Sequence, residues 1–209
     1  RVLFRSTPAS EGSSLSRLTS DGNKLYLSWV AKKDTLHSLY YASFDGLEWS
    51  ETIEVISGSD WFVNWADFPV IAVQNESILT TYLRKSDTAT YAYDIRYNYF
   101  DKQNDDWKKG LLLHSDSTKT EHGFVSVAPS GQDMFDIAWL DGRFTAGHAH
   151  GASSSKEKGA MTLRGASVLP NGTIINSTQL ASRVCACCQT SMATTTNYTW
   201  VAYRDRSER

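Results

Sequence analysis

The chain has 209 residues, of which 41% are hydrophobic and 12% aromatic, and its formal net charge is −2. This content suffices for a packed core in about one or two domains, and 4 prolines and 13 glycines exclude a fibrous or low-complexity chain. The slightly acidic balance argues against nucleic acid, whose phosphates attract a basic surface. The apolar runs are far shorter than the ~18 residues of a spanning helix. We therefore expect a globular chain with no nucleic-acid partner and no membrane span.

The two ends of the sequence differ from its middle. Residues 1–6 have neither an apolar leader run nor an initiator Met, and we expect them to be a non-native tail. Residues 7–209 are predicted to form one truncated domain, because the last repeat described below stops after its second strand.

One pattern occurs four times: a short alternating strand carries a large aromatic residue near its end and then runs into charged residues. The aromatic residues are Trp29, Tyr82, Trp139 and Tyr203, at intervals of about 53 to 64 residues. A period of this size in a β-patterned chain indicates repeated small sheets. We expect these four side chains to pack in the core between the sheets.

Taken in chain order, each of the first three repeats is predicted to contain four strands. The first has them at about 14–19, 24–31, 37–44 and 52–56, and the second at about 70–73, 78–83, 91–100 and 110–114. The third has a turn at 129–132, a long loop at 144–159 and later strands at about 160–168 and 174–180. The fourth opens near Cys185 and ends after its second strand. Period-two alternation dominates throughout, and no helix is predicted.

Repeated four-stranded antiparallel sheets predict an all-β fold, an incomplete β-propeller of about three and a half blades. We expect the blades at about 12–60, 61–116, 117–182 and, in part, 183–209. In a propeller, the beginning of each innermost strand and the end of each second strand lie on one face. The polar residues expected to converge there are Asp67, Arg84, Lys85, Glu121, His122, Asp141, Arg143, Cys187, Cys188, Gln189, Arg204, Asp205 and Arg206.

Seven segments carry a resemblance to a known family: residues 63–69, 90–94, 120–126, 139–143, 161–164, 183–190 and 203–208. They resemble the sialidase-like propellers with Asp-box (BNR) repeats, and within these the exo-α-sialidase-like branch of bacterial type. The resemblance implies a six-bladed propeller and a periplasmic, secreted or cell-surface location. The Asp-box turns at Asp45–Trp49 and Asp101–Trp107 are degenerate, and we interpret both as structural.

The resemblance also implies a chemistry. Sialidases bind the substrate carboxylate with arginines, use an aspartic acid as general acid/base, and use a tyrosine assisted by a glutamate as nucleophile. By predicted position, Asp67, Glu121 and Asp141 are the catalytic candidates. No tyrosine aligns with the family's nucleophile, and the family's opening Arg-Ile-Pro-type motif is absent. The substrate-binding candidates are His122, Arg143, Arg204 and Arg206.

The cysteine cluster has three interpretations. Cys185, Cys187 and Cys188 are buried small side chains in the first, and Cys187 forms a vicinal disulfide with Cys188 in the second. The third is a weaker alternative, a metal site completed by His122, His148 or His150. We predict no metal and no cofactor.

The functional prediction is a sialidase-like glycoside hydrolase that acts on terminal sialic acid, or on a related acidic sugar, of glycoconjugates. Its predicted partner is therefore a glycan or a small sugar. The alternative is a non-catalytic propeller that binds carbohydrate or a protein partner, since propellers serve many functions. A metal- or redox-dependent site at the cysteines is the third hypothesis.

Overall fold

The computed structural model describes residues 6–131, 133–146 and 159–207, and every regular element in these ranges is a β-strand. The first sheet contains β1 (Ser14–Ser20), β2 (Leu25–Lys33), β3 (Leu36–Phe44) and β4 (Ile53–Gly58), and the second contains β5 (Ile71–Gln74), β6 (Ser77–Lys85), β7 (Tyr93–Asp101) and β8 (Asp106–Leu112). The third contains β9 (His122–Ser130), β10 (Met134–Asp141), β11 (Thr162–Val168) and β12 (Ile174–Ala181), and the last pair is β13 (Ser191–Thr194) with β14 (Thr199–Ala202). No helix that could cross a membrane occurs among the described residues.

All strand pairs are antiparallel neighbours in chain order, which gives three four-stranded sheets and one two-stranded sheet. The first strands of successive sheets pack side by side, β1 on β5, β5 on β9, and β9 on β13. Inner strands that follow one another in this way around an axis define the blades of a propeller. The predicted all-β, incomplete β-propeller is therefore confirmed, while the six-bladed count stays a prediction.

The turns at Asp45–Trp49 and Asp101–Trp107 contain local hydrogen bonds from the backbone to their first aspartate. Oδ1 of Asp45 accepts the backbone N–H groups of Leu47 and Glu48 at 2.8 and 3.0 Å. Gly46 has φ = 100°, a conformation that costs glycine little. Oδ1 of Asp101 accepts N–H groups at the start of the β7–β8 turn in the same manner. Both turns satisfy backbone donors, as expected of structural turns.

Three of the four repeated aromatic residues lie in the core, as predicted. Trp29, Tyr82 and Trp139 are buried, whereas Tyr203 is 40% exposed. The prediction for Tyr203 was wrong because this residue follows the end of β14, in a sheet that has only two strands. The repeat spacing thus predicted the position of the strand, but it did not predict that the aromatic residue after it is exposed.

The sheet edges that carry the candidate site are fixed by backbone pairing. His122, the first residue of β9, pairs with Asp141, the last residue of β10. Glu121, just before β9, forms a parallel bridge with Tyr93 at the start of β7 in the preceding sheet. The start of β7, the start of β9 and the end of β10 therefore lie together on one face of the propeller.

Candidate active site

A cleft of about 620 Å³ opens on this face. Four of the residues predicted from the sequence to converge on this face line it, namely Asp67, Glu121, Cys187 and Arg206. The other lining residues are Phe62, Asn64, Trp65, Ala66, Tyr91, Tyr93, Phe124 and Ala186. The cleft thus combines two carboxyl groups, one guanidinium group and several aromatic rings.

The hydroxyl group of Tyr93 lies between the two carboxyl groups. Its oxygen is 2.9 Å from Oδ2 of Asp67 and 2.8 Å from Oε1 of Glu121, and all three residues are buried. A phenol has one hydrogen and therefore donates to only one carboxylate, so the other carboxyl group must carry a proton of its own. Burial raises the pKa of Asp67 to about 7. Below that pH, the protonated Asp67 donates to the oxygen of Tyr93, and Tyr93 donates to Glu121.

The backbone of the β9 start encloses the carboxyl group of Asp67. Phe124 donates its N–H to Oδ1 at 2.7 Å and has φ = 52°, an uncommon conformation for a bulky residue that is frequent at functional sites. A Cβ atom on Gly123 would lie 1.9 Å from Oδ2 of Asp67, so only glycine fits there. Two consecutive residues therefore accommodate the carboxyl group of Asp67: Gly123 leaves space for it, and the backbone N–H of Phe124 donates a hydrogen bond to it.

Packing and backbone hydrogen bonds also fix Tyr93. Phe62 stacks on its ring, with the ring centroids 4.1 Å apart and the planes 9° from parallel, and the N–H of Tyr93 donates to the carbonyl oxygen of Thr120 at 3.2 Å. Burial and the charge of Glu121 raise the pKa of the phenol well above its ordinary value. Tyr93 is therefore a neutral, immobile hydroxyl group until its proton is removed.

The mouth of the cleft is lined by exposed aromatic rings. Trp65 is 85% exposed and Tyr91 is 46% exposed, and the ring of Tyr91 meets that of Phe62 edge-on. Aromatic faces next to polar groups suit flat, amphipathic ligands.

Three predicted residues form a second cluster beside the cleft: His122 and Asp141, which are buried, and Arg143, which is partly buried. Arg143 donates Nε and Nη2 to the two carboxylate oxygens of Asp141 at 2.7 and 2.8 Å, and its Nη2 is 3.2 Å from Oδ1 of Asp116. Burial would raise the pKa of Asp141, but the hydrogen bonds from Arg143 and the charge of His122 outweigh burial and lower it. The guanidinium group of Arg143 is therefore already engaged by carboxylates.

His122 is surrounded by hydrogen-bond acceptors. Its Nδ1 is 3.3 Å from the carbonyl oxygen of Tyr93 and 3.2 Å from that of Thr120, and its Nε2 is 3.1 Å from Oδ2 of Asp116. Burial alone would lower the pKa of His122, but Asp116 and Asp141 more than compensate and raise it. His122 is thus an imidazolium cation that bridges the carbonyl oxygen of Tyr93 and the Asp116–Asp141 pair.

The sequence did not single out two members of this cluster. His114 stacks on His122 with ring centroids 3.9 Å apart, and its Nδ1 is 2.9 Å from Oδ1 of Asp116. Both residues lie in the connection between β8 and β9, and neither is part of a recognisable sequence motif. Residues 114–118, His-Ser-Asp-Ser-Thr, form a run of polar side chains, which is the signal that the sequence contains.

The two C-terminal arginines have different surroundings. Arg206 lines the cleft, and its guanidinium group has no ion pair among the described residues. Arg204 lies outside the cleft lining, with Nη1 3.8 Å from Sγ of Cys188. Of the predicted arginines, Arg206 is the one that the structure places at the cleft with its charge available.

The cysteines match neither of the first two interpretations, because Cys187 is not buried and the bonded pair is not the vicinal one. Cys185 is disulfide-bonded to Cys188, while Cys187 is an exposed free thiol. The vicinal disulfide is therefore wrong, since the two residues between Cys185 and Cys188 give the chain room to close the ring. The three sulfur atoms lie close together, but the disulfide removes two of them as thiolate ligands. The other predicted ligands, His148 and His150, lie outside the described residues.

Two further groups bring His and Asp ligand atoms within 4.8 Å of one another: Asp94 with His114 and His122, and Asp116 with His122 and Asp141. In the second group, Arg143 and the protonated His122 already neutralise the carboxylates. These residues are better described as an ion-pair network than as a metal site.

Comparison with known proteins bears on the fold. The chain is similar to the structure of Penicillium chrysogenum alpha-L-arabinanase complexed with arabinobiose, with 13% identity and a TM-score of 0.54 over 86% of this chain and 53% of that one. Alpha-L-arabinofuranosidase from Lactobacillus brevis matches with 10% identity and a TM-score of 0.38 over 84% of this chain and 58% of that one. The chain thus spans about half the length of these proteins. No family model and no curated protein matches it.

Proposed function

We propose that the protein is a glycoside hydrolase that acts on a terminal acidic sugar of the sialic acid class. The observation that carries this proposal is the hydroxyl group of Tyr93, held between Asp67 and Glu121 in the wall of an open cleft. A tyrosine, a glutamate and an aspartic acid are the three groups that the sialidase mechanism requires. The similarity to a propeller from an arabinanase agrees with a carbohydrate substrate.

In the proposed reaction, the oxygen of Tyr93 attacks the anomeric carbon while Glu121 accepts the phenolic proton at Oε1. This transfer avoids a free phenolate, which the raised pKa of Tyr93 makes unfavourable. Asp67 donates its proton to the departing glycosidic oxygen, a role for which a pKa of about 7 is suited. In the second step, Asp67 takes a proton from water, whose oxygen attacks the anomeric carbon. The bond between that carbon and the oxygen of Tyr93 breaks, and Glu121 returns its proton to the tyrosine oxygen.

A tyrosine nucleophile is appropriate for an anionic substrate. A carboxylate nucleophile would repel the substrate carboxylate, whereas a neutral phenol does not. Arg206 is proposed to bind that carboxylate, because its guanidinium group lies at the cleft and a planar fork of donors matches a carboxylate.

The second cluster is proposed to position Glu121 and Tyr93. The N–H of Gly142, between Asp141 and Arg143, donates to the carbonyl oxygen of Glu121 at 2.8 Å. Nδ1 of His122 lies 3.3 Å from the carbonyl oxygen of Tyr93. Asp141, Arg143 and His122 therefore hold the backbone of the two residues without lining the cleft.

Hydrolysis of a fluorogenic sialoside tests the proposal. We expect turnover by the protein and its loss in Asp67→Asn, with folding retained. Failure of the folded protein to cleave acidic glycosides would count against it.

A second candidate function is carbohydrate binding without turnover. Two observations favour it: Tyr93 is fully buried, and the exposed rings of Trp65 and Tyr91 at the cleft mouth offer a binding platform without any chemistry. Retention of acidic glycans in a binding assay, with no product released over long incubation, would distinguish this function from hydrolysis.

A further inference from the structure

The three cysteines lie in one anchored turn of the cleft wall. The N–H of Cys185 donates to the carbonyl oxygen of Arg204 at 2.9 Å, before the turn. After the turn, Oγ1 of Thr190 donates to the carbonyl oxygen of Phe124 at 2.7 Å. Because both ends are fixed, the three sulfur atoms are held near one another.

The free thiol is close to the disulfide. Sγ of Cys187 is 3.7 Å from Sγ of Cys185, and Cys187 is exposed at the cleft. Cys185 is only 1% exposed, so that a thiol from solution cannot readily approach its sulfur, whereas Cys187 already reaches it. A guanidinium nitrogen of Arg204 lies 3.8 Å from the third sulfur, Sγ of Cys188.

We propose that Cys185, Cys187 and Cys188 form a thiol–disulfide exchange site. The thiolate of Cys187 attacks Sγ of Cys185, a new Cys185–Cys187 bond forms, and the Cys185–Cys188 bond breaks. The bonding electron pair leaves on Cys188, whose thiolate is stabilised by the positive charge of Arg204. The step conserves one disulfide and one thiol, so it consumes neither oxidant nor reductant.

The exchange moves the free thiol from Cys187 to Cys188. In one isomer the thiol is on Cys187, in the cleft wall that also contains Glu121 and Arg206. In the other it is on Cys188, beside Arg204. The exchange therefore decides whether the cleft presents a reactive thiol, and this conclusion does not depend on the sugar chemistry proposed above.

Peptide mapping of the oxidised protein tests the proposal. Trypsin releases residues 184–204, which contain all three cysteines, as one peptide. Free thiols are alkylated with iodoacetamide after different times at pH 8, and fragmentation of the peptide locates the label. We expect one label per chain, divided between Cys187 and Cys188, in a ratio that becomes constant at a rate independent of protein concentration.

Two variants sharpen the test. Cys187→Ser should leave the Cys185–Cys188 disulfide intact with no alkylated cysteine, because the attacking thiol is gone. Arg204→Gln should slow the appearance of label on Cys188 several-fold, because the leaving thiolate loses its counter-charge. Label confined to Cys187 at all times, or label on all three cysteines of the oxidised protein, would overturn the proposal. An unchanged rate in Arg204→Gln would contradict the role given to that residue.

Discussion

Tyr93 and Glu121 are joined twice, by a hydrogen bond of 2.8 Å between their side chains and by a parallel bridge between their backbones. The bridge connects the start of β7 in one sheet to the residue before β9 in the next. The contact between the two side chains is therefore set by how two blades pack, and not by flexible loops. An acid–base pair held in this way is preorganised for proton transfer.

Substitution of Tyr93 by Phe removes the proposed nucleophile and keeps the ring that stacks on Phe62. We expect kcat to fall by at least ~100-fold, because a positioned reacting group typically contributes that much, while the affinity for an acidic sugar changes little. Steady-state kinetics and calorimetric titration measure the two quantities. Tyr99→Phe is the matched control, since Tyr99 lies on the same strand in the core, outside the cleft lining. Wild-type turnover by Tyr93→Phe would exclude the nucleophile role.

Substitution of Gly123 by Ala should displace the carboxyl group of Asp67, because the new Cβ would lie 1.9 Å from Oδ2. We expect a loss of ~1–3 kcal/mol in the free energy of unfolding, as for other overpacked sites. The same change made in an Asp67→Ala background should cost clearly less, because the obstructing oxygen is absent. Urea unfolding of the four proteins gives the coupling, and additive losses would contradict the proposed steric cause.

The free energy of unfolding should depend on pH through Asp67. Its pKa is raised from 3.8 to about 7 on folding, so the folded state holds this proton more tightly than the unfolded state. The corresponding stabilisation is fully present below pH 4 and is lost as the pH rises through 7. Asp67→Asn imitates the protonated form and should gain stability relative to the wild type between pH 4 and pH 8. If the free energies of unfolding of the two proteins changed with pH in the same way over that range, the pKa of Asp67 would not be raised on folding.

His122 adds to the same trend. Its pKa is raised on folding, so its stabilising contribution is present below its ordinary pKa of 6.5 and is lost as the pH rises through the folded value. The groups that face it are Asp116, Asp141, His114 and, through the carboxylates, Arg143. In His122→Gln we expect a weaker fall of stability on the alkaline side than in the wild type, measured by thermal unfolding in matched buffers. An identical alkaline fall would contradict the imidazolium assignment.

Arg143 and Arg206 should respond differently to the same change. Arg143→Gln leaves His122 as the remaining cation beside the carboxylates of Asp141 and Asp116 and removes two hydrogen bonds from Asp141, which should cost ~1–3 kcal/mol of stability. Arg206→Gln should change stability by less than ~0.5 kcal/mol, as at other surface sites, but should raise KM for an acidic sugar. The two measurements are urea unfolding and steady-state kinetics. A large loss of stability in Arg206→Gln, or none in Arg143→Gln, would contradict the structural role given to Arg143 and the binding role given to Arg206.

The sequence predicted the strands well because period-two alternation and turn residues are local signals. It also predicted that Asp67, Glu121 and Arg206 belong to one face, which follows from the topology of a propeller. It could not show that Asp141 and Arg143 neutralise each other, because two charged residues separated by one glycine point to a site as readily as to an ion pair. Their hydrogen bonds become visible only with coordinates.

Tyr93 was missed for a related reason. It lies in the alternating stretch that also contains Tyr91, Tyr97 and Tyr99, where every second residue is expected in the core. The bridge to Glu121 distinguishes Tyr93 from the other tyrosines of this stretch. Backbone pairing between two sheets cannot be predicted from a single sequence. The C-x-x-C spacing of Cys185 and Cys188, by contrast, was present in the sequence and would have favoured their disulfide over the vicinal one.

The central claim is that the oxygen of Tyr93 forms the covalent bond to the sugar, and trapping that bond tests it most directly. A fluorinated acidic sugar with a good leaving group slows the second step and leaves the intermediate on the protein. Trypsin separates the three candidates, since Tyr93 falls in residues 86–96, Asp67 in residues 34–84 and Glu121 in residues 120–143. The account predicts the mass of the sugar on Tyr93 in the first peptide. A label on Asp67 or Glu121 instead, or turnover with no label on any of the three, would contradict it.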